Sequence, residues 1–203
     1  MTPREHKKHL LKSQEEAQEQ AEAWHVPLFS NGKKLKTALK EMDDWRLESK
    51  DIPWIIKAIE NPKSLLCEFG IFPGCVNLFS HDCIHIILGR GILPKDEAFV
   101  IGFTMGTTRR VTSIQKSIFK FVTRFLYPEG YTFGPDEHKI FEIGLRSAGS
   151  MPCPDFSKLD LTTFTRYTIK EARKRLGIDV PRLIADYTVE RSRYASSESQ
   201  RLL

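Results

Sequence analysis

The sequence lacks an uncharged stretch long enough to cross a bilayer. The longest such stretch, from Phe69 to Ser80, falls well short of the about 20 residues that a membrane-spanning helix needs. The chain also does not begin like a secreted or imported protein. Residues 1–25 are charged throughout and contain several glutamates, which a mitochondrial transit peptide avoids. We therefore expect a cytoplasmic protein that is peripheral to a membrane rather than embedded in it.

Several common functional motifs are missing as well. There is no Gly-x-Ser-x-Gly nucleophile elbow, no phosphate loop and no dinucleotide-binding fingerprint. The basic residues, which give a net charge of +5, are scattered and not interleaved with aromatic residues, so we expect no nucleic-acid partner. The cysteines are few and too widely spaced for a zinc knuckle, so we expect reduced, mostly buried thiols. They are Cys67, Cys75, Cys83 and Cys153.

Apolar residues recur at helical spacing along most of the chain. Hydrophobic residues make up 40% of the sequence, enough for a full core, and strand-like alternation is nowhere sustained. We predict an all-α fold: a polar, helical N-terminal arm over residues 1–30, followed by a single helical domain over residues 31–203. The expected helices cover about residues 4–24, 33–47, 53–60, 94–106, 111–127, 135–148, 161–176 and 181–194, and a further helix that carries His81 and His85 ends at about Leu88.

The most informative motif is His81-Asp82-Cys83-Ile84-His85, followed after eleven residues by Glu97. On a helix, His81 and His85 are neighbours one turn apart, and Asp82 can share their side. The intervening Gly89-to-Pro94 stretch predicts a turn and a second helix that carries Glu97 back toward the first. Two imidazoles and two carboxylates would suit zinc, iron, manganese or cobalt. The alternative is a pair of interior histidines oriented by an aspartate. The apolar surroundings favour a cation, because buried polar groups need partners.

This pattern resembles the signature of the family of the fourth coenzyme Q (ubiquinone) biosynthesis protein. The residues His81, Asp82, His85 and Glu97 match in type and spacing, and Gly89 fits as well. Further along, residues 171–178 are similar to the Arg-x-x-Leu-Gly-Ile ending of the family domain. The resemblance covers about residues 50–180. It is dense around residues 78–102, where Arg90 stands in place of an expected aromatic residue.

The resemblance implies a protein of coenzyme Q biosynthesis. It also implies a divalent metal near the ring of a prenylated aromatic precursor, held by His81, Asp82, His85 and Glu97. Zinc is the expected metal, and iron, manganese and cobalt are alternatives. The family is credited with replacing the ring carboxyl by hydroxyl, as a metal-dependent oxidative decarboxylase would, and with organising the biosynthetic enzymes. Expected partners are the prenylated lipid, other quinone-biosynthesis enzymes, a membrane surface and a second copy of the chain.

An aromatic-rich helix around residues 118–127 is the expected lipid-binding element. Ordinary core packing explains its composition, but the resemblance implies a channel for a prenyl tail lined by Phe119, Phe121, Val122 and Phe125. Its lysines and arginine, which share one face, are either solvated or border an anionic membrane.

Two further functions remain open at this stage. One is a non-catalytic isoprenoid-lipid-binding scaffold whose metal only braces two helices. The other is a metal-dependent hydrolase, although no general base is evident beyond the ligands themselves.

Overall fold

The computed structural model describes residues 24–43, 67, 70–127 and 132–203, and these residues fold as an all-α unit. Within them there is no strand, and the only β-type pairings are two isolated bridges, His25 with Gly91 and Lys34 with Thr168. The all-α prediction is therefore confirmed. Most of the predicted N-terminal arm and the helix expected over 53–60 lie outside the described residues. The helices are α1 (Leu35–Asp43), α2 (Leu78–Leu88), α3 (Pro94–Thr107), α4 (Ser113–Phe125), α5 (Pro135–Ser150), α6 (Ile169–Arg175), α7 (Val180–Arg193) and α8 (Ser197–Gln200).

Helices α3 and α5 form the closest helix pair because each presents glycine to the other. A Cβ atom placed on Gly102 would lie 2.2 Å from the carbonyl oxygen of Phe141, and one on Gly144 would lie 2.4 Å from that of Phe99. No side chain larger than hydrogen fits either position without moving backbone. This contact fixes α3, which carries Glu97, against the centre of the domain.

All four carbonyl groups at the C-terminal end of α2 accept hydrogen bonds. This helix carries both histidines of the motif, so these bonds help to hold them in place. Gly89 adopts a left-handed conformation with φ of 73°, as glycine does where a helix stops. The Gly89 and Arg90 amides donate to the Ile86 and His85 carbonyls. The last two helical carbonyls, at residues 87 and 88, accept from the buried side chains of Arg173 and Tyr187. Four otherwise orphaned acceptors are thus paired.

One predicted helix is interrupted. The helix expected over 161–176 is wrong in its first half, where the chain forms a short 3₁₀ helix, Leu161–Phe164, and α6 begins only at Ile169. The threonines of this stretch explain the difference. The Thr162 hydroxyl bonds the Asp160 side chain, while those of Thr163 and Thr165 bond nearby backbone carbonyls, and such local bonds compete with helix. Thr168 then caps α6 by accepting from the Glu171 amide.

The expectation of four reduced thiols is also wrong in part. Cys67 and Cys75 form a disulfide, with Cα atoms 6.1 Å apart, because the turn through Gly70 folds the chain back on itself. Cys83 and Cys153 are free and buried, as expected. Burial raises the pKa of both thiols to about 12.

A search of the described helices for a membrane-spanning segment finds none with the required length and hydropathy.

Candidate metal centre

Helices α2 and α3 bring three of the four motif residues together. Asn77 caps α2 by accepting from the Ser80 amide, and His81 and His85 then follow one turn apart. Pro94 starts α3 after a short connection, and Glu97 lies in its first turn. The Nε2 atoms of the two histidines are 2.9 Å apart. The Glu97 carboxylate lies 3.0 Å from His81 Nε2 and 3.3 Å from His85 Nε2.

The backbone determines which nitrogen of His85 faces this cluster. Its Nδ1–H donates to the Gly91 carbonyl oxygen at 2.6 Å, so Nε2 is the ring nitrogen that faces His81 and Glu97. A metal-binding histidine commonly donates its other ring N–H to a backbone carbonyl in this way, which fixes the orientation of the ring. The segment that connects α2 to α3 therefore has two effects. It orients the His85 ring, and it brings Glu97 back beside the histidines.

The donor set fits a divalent metal. A four-coordinate zinc ion with bonds of about 2.0–2.1 Å holds its ligand atoms about 3.3 Å from one another. The distances here, 2.9 to 3.3 Å, require only a few tenths of an ångström of expansion. His81, His85 and Glu97 are accordingly the one group of potential metal ligands that converges within the described part of the chain.

The charge of Glu97 suits this role. Burial opposes its ionisation, but His85 and His81 outweigh that cost and hold the pKa of the carboxyl well below its usual range. Its side chain is still 31% exposed, whereas the imidazoles are almost enclosed. The cluster is therefore closed on the protein side and open on the Glu97 side.

Asp82 is not among the three converging residues. It is buried on α2, and its charge adds to burial in raising the pKa of the adjacent Cys83 thiol. Coordination of a metal by Asp82 stays a prediction.

A small cavity of about 30 Å³ adjoins the cluster and is lined by His81, Thr104, Phe119 and neighbouring residues. Of the four residues predicted to bind lipid, only Phe119 reaches it. Val122 is half-buried, while Phe121 and Phe125 are exposed on the outer side of α4. Binding of a lipid tail by these residues stays a prediction.

Sequence reasoning missed a buried ion pair beside the cluster. Arg90 donates two hydrogen bonds to Glu190, of 3.1 and 2.6 Å, and its guanidinium packs against the rings of Phe99 and Tyr187, 3.9 and 4.2 Å from their centroids. Because Arg90 stands where the family pattern has an aromatic residue, its identity was a usable signal of changed surroundings. Its partner is a hundred positions away, and no local pattern indicates it.

The same network reaches the start of α3. Arg201, near the C-terminus, pairs with the buried Asp96, whose carboxylate also accepts from the Leu93 amide at 3.2 Å. Asp96 immediately precedes Glu97, so the C-terminal segment fixes the turn of helix that presents the carboxylate to the histidines.

No model of a known protein family matches this chain, and neither a curated protein nor a solved structure is significantly similar to it.

Proposed function

We propose that the protein binds one divalent metal through His81, His85 and Glu97, with Asp82 as a fourth ligand or a close neighbour, and that it serves coenzyme Q biosynthesis. The observation that carries the proposal is the convergence of three donor atoms from residues whose type and spacing resemble the family signature. The substrate would be a prenylated aromatic precursor. The activity would be oxidative decarboxylation, in which the ring carboxyl leaves as carbon dioxide and a hydroxyl takes its place with dioxygen or another two-electron oxidant as co-substrate, or organisation of the enzymes that modify the ring.

Imidazole and carboxylate donors favour zinc, with iron, manganese and cobalt as further candidates. When bound, the metal would supply Lewis-acid polarisation of a ring oxygen. The protein's own contribution is orientation: Gly91 holds the His85 ring, and the cluster opens on the Glu97 side, where a head group could approach. Phe119 lines the small cavity that adjoins His81.

A scaffold with a purely structural metal is the second candidate, because the ligands join two helices. The packing argues against the need for such a brace. The glycine contact between α3 and α5 and the hydrogen bonds from Arg173 and Tyr187 to α2 hold both helices without any ion. Loss of ring chemistry on metal removal, with the fold retained, would favour the first candidate over the scaffold.

Metal analysis of purified variants tests the site directly. We expect about one metal per chain in the parent protein, and loss of that metal in His81→Ala and His85→Ala, because two remaining ligands bind far more weakly than three. Glu97→Gln should weaken binding without changing side-chain volume. The matched control is His138→Ala, since His138 lies outside the cluster. Full metal content in a His81→Ala/His85→Ala variant would refute the assignment.

Binding of prenylated hydroxybenzoates of increasing tail length tests the substrate class. Affinity should rise with tail length, by about 0.8 kcal/mol for each methylene-sized group that is buried. Mass spectrometry of lipid that copurifies with the protein should identify a prenylated ring. Affinity that is independent of both tail and ring would reject the quinone assignment, and the metal result would still stand.

A further inference from the structure

Arg201 contacts both of the segments that position the candidate metal ligands. On one side its guanidinium pairs with the buried Asp96, which precedes Glu97 in the first turn of α3. On the other side it packs against Gly91, where an added Cβ atom would lie 2.5 Å from the Arg201 Nη2 atom. The Gly91 carbonyl is the group that orients the His85 ring. One side chain therefore touches a residue that positions a ligand of α2 and a residue that positions the ligand of α3.

The Asp96 carboxylate depends on this contact. It is fully buried, so it cannot exchange Arg201 for water where it lies. Its Oδ2 atom accepts from the Leu93 amide at 3.2 Å and pairs with Arg201. Its Oδ1 atom lies 3.7 Å from Arg90 Nη1, which is beyond hydrogen-bond distance, and Arg90 already donates two hydrogen bonds to Glu190. Arg201 is therefore the cation that holds this carboxylate at the start of α3.

The Arg201 side chain is itself held in place. Leu202, the next residue along the chain, is buried in the core, and the Ser199 hydroxyl at the end of α8 donates to the buried Glu190 at 2.9 Å. Arg201 also donates to the Trp24 carbonyl at 3.5 Å, and its side chain is only 13% exposed. Its guanidinium is thus fixed by packing and cannot swing freely between solvent and the site.

We propose that Arg201 is a positioning residue of the metal centre, which holds Glu97 and His85 at the spacing that a divalent metal requires and thereby sets the metal affinity. Without Arg201, the Asp96 carboxylate would turn toward water, and the first turn of α3 would move with it. The Gly91 backbone would lose the side chain that packs on it, so the His85 ring would be held less firmly. The inference rests on the proposed metal site and adds to it a residue from a distant part of the chain.

Titration of the metal-free full chain with cobalt(II), followed by visible absorption, tests the proposal. This measurement reports metal affinity and ligand geometry together. Arg201→Met should raise the dissociation constant about tenfold to a hundredfold, the usual effect of losing a group that orients metal ligands, and it should shift the absorption bands of the saturated complex. Arg201→Lys should raise the constant less, because it keeps a cation opposite Asp96 but not the planar fork. Asp96→Asn should also raise it, since this substitution breaks the same pair from the other side.

Two controls separate positioning from a general loss of stability. Phe133 is buried and packs edge to face on Phe119, so Phe133→Leu should lower the urea midpoint while the dissociation constant and the absorption bands stay those of the parent. Arg193 is an exposed arginine in the last turn of α7, and Arg193→Met should change neither quantity. Circular dichroism checks that each variant remains helical.

An unchanged dissociation constant in Arg201→Met would overturn the proposal, and so would an equal loss of affinity in Phe133→Leu. If Arg201→Met does not fold, Asp96→Asn decides by the same criterion, because it changes the side-chain volume very little. Absence of cobalt binding in the parent protein would refute the metal site as well as this inference. Parent-like binding in Arg201→Met would refute this inference alone, so the two failures are distinguishable.

Discussion

Replacing Arg90 by methionine removes the cation from the buried network beside the candidate metal centre. Methionine retains most of the apolar stem, so the substitution mainly deletes the guanidinium and its two hydrogen bonds to Glu190. Glu190 is fully buried, and among the described side chains only Ser199, at 2.9 Å, would still donate to it. Arg90→Met therefore leaves a carboxylate enclosed with one hydroxyl in place of a bidentate cation.

The expected cost is large because the abandoned charge cannot reach water. Removing one partner of a buried ion pair destabilises a protein by about 3–5 kcal/mol. With a urea m-value of about 2 kcal/mol per molar, the unfolding midpoint should fall by roughly 1.5–2.5 M. Arg90→Met/Glu190→Gln should be more stable than Arg90→Met alone, because the amide removes the uncompensated charge.

A surface pair provides the control. Lys33 and Glu41 approach to 2.6 Å with side chains 34% and 46% exposed, so Lys33→Met should cost less than about 1 kcal/mol. Urea unfolding followed by circular dichroism measures all of these variants. A loss in Arg90→Met as small as that in Lys33→Met would refute the reasoning. It would also be refuted if the loss in Arg90→Met/Glu190→Gln equalled the sum of the losses in Arg90→Met and Glu190→Gln, because the two charges would then be uncoupled.

Three further predictions concern packing, thiols and the ion. Gly102→Ala should destabilise by about 1–3 kcal/mol or more in thermal unfolding, whereas Gly149→Ala, with open space around its Cβ, should stabilise by up to about 1 kcal/mol; equal effects would contradict the close helix contact. Because the pKa values of Cys83 and Cys153 are raised to about 12, both should resist alkylation in the native protein, and the unfolding free energy should fall as pH rises above about 9; rapid native labelling would contradict their burial. Chelation should leave the helical spectrum intact and lower the melting temperature by no more than about 10 °C, and unfolding on chelation would favour a structural metal.

Much of the fold and the centre of the site could be predicted because the signals are local. Proline begins α3 and α5, glycine ends α2, and the 3.6-residue period marks the buried faces. The pairing of His81 with His85 follows from helix geometry alone. Glu97 lies close to them because only a few residues connect α2 to α3, so its position could be predicted from a single turn of the chain.

What could not be predicted depends on contacts between distant segments. Glu190 meets Arg90 across a separation of 100 residues, and Arg173 reaches the end of α2 across 86. The residues next to either arginine in the sequence do not indicate its partner. The disulfide between Cys67 and Cys75 was missed for a related reason. Its spacing matched no metal motif, and only the turn at Gly70 makes the two sulfurs neighbours.

The aromatic helix shows what helical periodicity adds to composition. Its phenylalanines were predicted together to line a channel for a lipid tail, and the helical period divides them between two faces. Phe119 lies on the inner face with Thr123, beside the cavity at His81, whereas Phe121 and Phe125 lie outside. The inner ring belongs to the core and lines the cavity that also reaches His81, whereas the outer rings are exposed. Substitutions on the two faces should therefore differ in effect: Phe119→Ser should destabilise the fold, whereas Phe125→Ser should leave its stability nearly unchanged.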